Sequence, residues 1–320
     1  MKLSLIFSAA LLGAFVNGAA LAACAAPPPA RIDIDANGYY SDAHHSVIDP
    51  VLRARNIANT KPIEDFLAEV AQDATAYQLE PKANAADGAC ALTWLASWAE
   101  RKAMLGKLSS EQAYYVRKWT LGGLALSYAR VKPAADVARQ QLIEGWLKAL
   151  ADATMAHSDA KQGGRNNHYY WEGLAVTAVG GVTGDQRYLG WGRKVFDHAM
   201  GQMAADGSLP AEMERAAKAL HYQVYATTPL VMIASILDLH DPKLDQIVKF
   251  TVAASADPSG IAKATGFEQE RVGVLDINTI HGRHEGKPLE APAKRQWQPR
   301  LGGDLNLANP LEHLAALKSQ

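Results

Sequence analysis

Seven consecutive residues, Arg165, Asn166, Asn167, His168, Tyr169, Tyr170 and Trp171, combine a guanidinium, two amides, an imidazole and three aromatic rings. Packing asks for neither adjacent amides nor an imidazole, and a turn does not ask for three aromatics. Together they suit recognition of a sugar carboxylate, because amides and imidazole donate hydrogen bonds and the rings offer apolar faces. Asn166 or Asn167 can cap the helix that runs on through "YYWEGLAVTAVGG". A helix N-terminus favours an anion, since its unpaired N–H groups carry partial positive charge. The plainer alternative for His168 is a histidine that holds a loop.

A second stretch, "SLPAEMERAAKALHYQVYATTPL" (208–230), adds a guanidinium and a phenol. Pro210 suits the first turn of a helix. On one continuous helix, Arg215 and Tyr222 would lie within about 20° of each other, two turns apart. Glu212, three residues before Arg215, could orient it. A positive charge beside Tyr222 would lower the pKa of the phenol. The alternative is a surface ion pair beside a half-buried core tyrosine.

These residues need a scaffold, and the hydrophobic spacing supplies helices. Apolar residues recur at helical intervals over 63–77, 89–105 and 111–131, then over 134–157 behind Pro133. Three further helical segments are expected over 167–181, 184–207 and 210–240. Residues 31–60 lack clear periodicity, and the pattern weakens again beyond about 255. The expectation is an all-α fold of antiparallel helical hairpins in one domain, 23–320, since no composition shift divides the chain. The 320 residues suffice for a large core, and 48% hydrophobic with 20% charged residues is ordinary for a globular protein. A net charge of −1 gives no general basic field, so nucleic acid is not an expected partner. An anionic ligand would need positive groups gathered locally.

The first 22 residues have a lysine at position 2, an apolar run from Leu3 to Val16 and small residues ending Ala20-Leu21-Ala22. This is the pattern of a secretory signal peptide, too short in its apolar part to span a membrane. No later segment is apolar and long enough for a span. The chain has two cysteines, Cys24 and Cys90. In an oxidising compartment two cysteines usually pair, and this pair would close a loop worth roughly 3–4 kcal/mol. "LAAC" at 21–24 also resembles a lipid-attachment box, which leaves an anchored Cys24 as the alternative.

The blocks "CALTWLASWAE", "RKWTLGGLALSYARVK", "NNHYYW", "GSLPAEMERAAKALHYQVYATTPLVMIA" and "PRLGGDL" occur in order over 90–240 and again near 300. In them the chain resembles the periplasmic alginate lyases, the poly(β-D-mannuronate) lyases of polysaccharide lyase family 5. The resemblance implies an incomplete (α/α) toroid with a deep groove and a lid loop. It implies a periplasmic, monomeric enzyme acting on anionic polysaccharide, with no cofactor and no metal. The family's paired cysteines correspond to Cys24 and Cys90, which favours the disulfide over the lipid.

By the same resemblance the catalytic group is Asn167, His168, Arg215 and Tyr222. Tyr39 and Tyr40 in "NGYYSD" compete for the family's lid tyrosine, and Arg300 matches its C-terminal arginine. Tyr115, Trp171, His221 and Tyr225 are candidates for lining the groove. The chain departs from the family at "EQAY" before "RKW", at Ala211 and at Tyr169 after His168; these changes bear on subsites and substrate breadth. Elimination across C4–C5 of a uronate needs loss of a weakly acidic proton alpha to a carboxylate. Asn167, His168 and Arg215 would neutralise that carboxylate, and Tyr222 would move the proton. Two rival readings remain: a glycoside hydrolase, for which Glu172 and Glu212 are the available carboxylates, and a non-catalytic polyuronate binder. Trp94 and Trp98 read as core. His44, His45, His281 and His284 show no further clustered ligands in sequence, so no metal site is expected.

Overall fold

Asp49 opens the first helix, its carboxylate accepting from the N–H groups of Val51 and Leu52 with Pro50 in the first turn. In this computed structural model, which describes residues 24–161, 164–287 and 294–313, α1 (Pro50–Leu79) therefore starts at Pro50 rather than Ile63. The signal segment 1–22 lies outside the described residues. The chain continues through α2 (Ala85–Glu100), α3 (Glu111–Val131), α4 (Val137–Ala160), α5 (Asn167–Thr183) and α6 (Gln186–Gln202). Then come α7 (Pro210–Met213), α8 (Ala219–Leu237), α9 (Pro242–Ala256), α10 (Ser259–Thr265) and α11 (Leu275–His284). Side chains of Asp136, Asn166, Asp185 and Asp241 cap α4, α5, α6 and α9, each contributing about 1 kcal/mol.

Two expected helices end differently. The helix expected to run to 105 stops at Glu100, because Lys102 (φ 53°) and Met104 (φ 62°) adopt left-handed backbone. The helix expected over 210–240 is broken: α7 ends at Met213, Ala216 takes φ 48°, and a 3-10 turn over Ala216–Lys218 precedes α8. Arg215 and Tyr222 are therefore not on one helix face.

Helices α3, α5 and α8 are buried along nearly their whole length. A helix apolar on all sides belongs inside, and α5 packs between α3 and α8. Helices α1, α2, α4, α6, α9 and α11 bury one stripe each and lie around these three. The result is the all-α toroid of helical hairpins. A short antiparallel pair, Trp297–Gln298 with Gly303–Asp304, closes onto α3. Gly123 permits this: a Cβ there would meet the Pro299 carbonyl oxygen at 2.5 Å. Gly303 (φ 111°) turns the pair, and a side chain on it would strike Thr75. That hairpin carries Arg300.

Cys24 and Cys90 are bonded, with Cα atoms 5.3 Å apart, fixing the N-terminal segment to α2. The Trp94 and Trp98 indoles donate to the carbonyls of Ala25 and Pro28, and Trp98 stacks on Phe66 at 3.6 Å. Both tryptophans serve packing, as expected.

Candidate active site

The first turns of α3, α5 and α8 surround a groove of about 620 Å³, with Tyr115, His168, His221, Tyr222 and Tyr225 on its wall. Three helix N-termini thus open on one cavity, and their partial positive charges favour an anion there. Arg53, Arg215 and Arg300 also line it. These are the locally gathered positive groups that the near-neutral chain required. The two groove carboxylates are engaged at its rim: Glu64 with Arg300 at 3.6 Å, Glu111 with Lys161 at 2.6 Å and His157 at 3.4 Å.

At the start of α5, Asn166 is the cap, its side chain accepting from the His168 N–H at 3.1 Å. Asn166 and His168 line the groove, whereas Asn167 is fully buried behind it. Asn167 donates both its backbone N–H and its Nδ2 to Glu212, each at 2.7 Å. The Glu212 carboxylate, fully buried, therefore orients Asn167 and makes no hydrogen bond to the Arg215 guanidinium; the two residues meet only through the backbone, the Arg215 N–H donating to the Glu212 carbonyl at 3.2 Å. Burial pushes its carboxyl up to about 7, against the hydrogen bonds from Asn167. The Asn167 Oδ1 has no hydrogen-bond partner among the described residues.

The His168 ring stacks on Tyr115 at 3.6 Å, and beneath it Lys118 Nζ donates to the His168 carbonyl at 2.8 Å. Lys118 also pairs with Glu172 at 3.3 Å. Burial, then the charges of Lys118 and Arg215, hold the His168 pKa well below the usual histidine value, so its ring is neutral. Burial lowers Lys118 to about 8. Sequence reasoning missed Lys118 as a site residue. Its signal was the adjacent basic pair Arg117-Lys118 inside a helix that is buried along nearly its whole length.

Tyr222 reaches the groove from α8, and Arg215 arrives from the separate turn before it, its guanidinium 4.8 Å from the phenol ring centroid. The pair meets despite the broken helix. The electrostatic expectation is corrected: Arg215 does lower the phenol pKa, but burial and the neighbouring Tyr40 outweigh it and the net shift is upward. The Tyr222 hydroxyl donates to the His45 carbonyl at 3.4 Å. His45 thus belongs to the site, whereas the sequence reading weighed it only as a metal ligand.

His45 sits in a loop, 39–48, lying across the groove mouth, and both Tyr39 and Tyr40 face the cavity. His44 Nδ1 lies 2.9 Å from the Glu214 carbonyl, a second contact between loop and wall. Arg300 lies 4.4 Å over the Trp119 ring. Trp171 does not line the groove. It is buried and donates to the Tyr225 carbonyl at 3.0 Å, bracing α8 from behind.

The Alginate lyase family profile matches residues 33–260 of this chain. The chain belongs to the alginate lyase family. It is 37% identical over 306 residues to a polysaccharide lyase of Stenotrophomonas maltophilia strain K279a, covering 91% of this chain and 92% of that protein. It is 31% identical to an alginate lyase of Azotobacter vinelandii, covering 83% of this chain and 77% of that one. Among solved structures it is similar to the apo form of a variant of alginate lyase A1-III, with a TM-score of 0.71, 25% identity and coverage of 88% and 84%. A tetrasaccharide complex of that lyase gives a TM-score of 0.75 at 24% identity, covering 92% of this chain and 86% of that one.

Outside the groove, the expectation that His281 and His284 lack neighbours is corrected. His284 gathers with Asp238 and His240, and His281 with Asp245 and Glu285. Asp238, His240 and Asp245 come from other parts of the chain than α11, so sequence spacing does not display them.

Proposed function

We propose that this family member is a polysaccharide lyase that cleaves mannuronate-rich alginate by syn β-elimination, leaving 4,5-unsaturated uronate ends. The observation that carries the reading is the convergence of a buried phenol, a guanidinium and a neutral histidine on one groove walled by helix N-termini. The uronate carboxylate lies against Arg215 and His168, which stabilise the enolate-like charge that grows in the transition state. Asn167, held by Glu212, shapes the backbone of that corner. The Tyr222 phenolate takes the C5 proton; the C4–O4 bond breaks as the C4–C5 double bond forms, and the phenol returns the proton to O4. In β-D-mannuronate both atoms lie on one face of the ring, so one tyrosine serves both. Tyr39 and Tyr40, Tyr115, His221, Tyr225 and Arg300 line the flanking subsites.

The hydrolase reading loses its catalytic pair, because Glu172 is bound to Lys118 and Glu212 to Asn167, and neither lines the groove. We further propose one catalytic domain, 23–320, exported to the periplasm behind the 1–22 signal and working as a monomer. Polymers of β-D-glucuronate, which differ from mannuronate at C2 alone, extend the substrate range. Guluronate inverts C5 and places the proton beyond the reach of the same phenol.

Incubation with purified block polymers tests the proposal. Elimination produces ultraviolet absorbance from unsaturated ends, fast on poly-mannuronate and slow on poly-guluronate. New reducing ends without absorbance would mean a hydrolase, and binding without either would mean a non-catalytic protein. Equal rates on the two blocks would rule out the one-face mechanism.

A further inference from the structure

We propose that Asp238, His240 and His284 form a binding site for a divalent cation of the zinc class, at the end of α8 opposite the groove. Tyr222 lies in the first turn of α8 and Asp238 caps its last, so the two sites are separated by most of the helix, roughly 24 Å. Asp238 reaches its position through left-handed backbone (φ 54°). His240 follows in the turn before α9, and His284 ends α11. Three elements thus deliver one ligand atom each, all within 4.8 Å of one another.

His284 carries the argument furthest. Its side chain is 3% exposed as a residue, and its ring stacks on His240 at 4.4 Å and on His313 at 5.4 Å. Its Nε2 lies 2.9 Å from the Leu239 carbonyl, which can only accept, so Nε2 bears the proton. The lone pair is then on Nδ1, which is buried and has no hydrogen-bond partner among the described residues. A histidine whose one nitrogen donates to a backbone carbonyl while the other is unpartnered has the arrangement of a metal-ligating imidazole.

His313 Nδ1 lies 2.9 Å from a carboxylate oxygen of Asp238. Two imidazoles and a carboxylate suit zinc and its neighbours rather than calcium or magnesium, which prefer oxygen. Ligands of a tetrahedral ion lie about 3.3 Å apart, so the group must contract. His240, its side chain 56% exposed and 3.0 Å from Glu285, can turn its ring edge inward to do so. Glu285 and His313 stand beside the group to complete the coordination. A bound ion would clamp the ends of α8 and α11 to the α8–α9 turn, which is a structural role.

The mature protein, stripped with EDTA and exchanged into clean buffer, is titrated with zinc chloride at neutral pH by calorimetry, and bound metal is counted by mass spectrometry. One equivalent is expected, with the Tm raised by about 5 °C at a hundredfold excess over Kd. His240→Ala and Asp238→Asn should each weaken binding at least tenfold. His240→Ala removes a half-exposed side chain outside the groove, so its fold and its alginate turnover should stay unchanged. Asp245→Asn, which alters the neighbouring Asp245–His281–Glu285 group, should leave the affinity as it was. Substoichiometric binding in the wild type would overturn the site. So would an affinity that survives both His240→Ala and Asp238→Asn, or one that is lost only in Asp245→Asn.

Discussion

The two sides of the groove are built on opposite principles. At the start of α5 the polar groups behind His168 are buried and held: Asn167 on Glu212, the His168 carbonyl on Lys118, Lys118 on Glu172. The loop across the mouth is mostly exposed and organised by itself. Asp42 accepts from the N–H groups of His44, Ser46 and Val47, which holds its carboxyl down at about 2, and only weak contacts tie the loop to the wall. Buried polar networks are costly to disturb, whereas exposed loops open at low free energy. The comparison teaches that the carboxylate corner is fixed before substrate arrives, while the lid is the part that can let a polymer in.

The largest expected effect comes from breaking the fixed side. Glu212→Ala leaves the backbone N–H and Nδ2 of Asn167 buried without acceptors and should cost roughly 2–5 kcal/mol of stability. It should also lower kcat at least a hundredfold by loosening the α5 start. Glu212→Gln, which keeps one acceptor, should recover part of both. Denaturant unfolding and initial rates on poly-mannuronate measure the two quantities, and a neutral Glu212→Ala would mean that the corner is not fixed by this network.

A middle-sized effect sharpens the contact between the two sides. Tyr222 has its pKa raised by burial and by Tyr40, so at neutral pH its phenolate is scarce and kcat should climb about tenfold per pH unit while it remains so. His168, with its pKa well below 6.5, would as the base give a rate already flat above neutrality. Tyr40→Phe removes one of the influences that raise Tyr222 and should move the rising limb to lower pH. A pH profile that does not move assigns no such role to the lid tyrosine.

The smallest effect belongs to the lid alone. Asp42→Ala removes the acceptor that shapes the loop, so KM should rise a few-fold while kcat changes by less than about a factor of three. No kcal/mol of global stability is expected to follow, because the loop is exposed. A large fall in kcat would make the loop part of the catalytic machinery and erase the contrast.

Much of the fold was legible because α5 and α8 are rich in apolar residues on every side, and α3 and the outer helices carry apolar residues at helical spacing. What was illegible has specific causes. The cap Asp49-Pro50 stood in a stretch without periodicity, so the first three and a half turns or so of α1 were read as loop. Ala216 and Met104 adopt left-handed backbone without a glycine to announce it. The Arg215–Tyr222 pairing was found through a helical spacing that does not exist, and it survives because the turn before α8 folds the guanidinium back onto the ring. Glu212 and Asn167 are far apart in sequence, as are His284 and Asp238, and no local pattern records such partners.

The most direct measurement is the turnover of Tyr222→Phe on poly-mannuronate, followed by ultraviolet absorbance beside a binding titration with the same polymer. The substitution removes one oxygen and leaves the ring under Arg215. The account predicts kcat below a tenth of wild type, with affinity for the polymer largely kept, because the phenol acts in the transition state. A variant that retained more than a tenth of wild-type kcat would contradict the assignment of proton transfer to Tyr222.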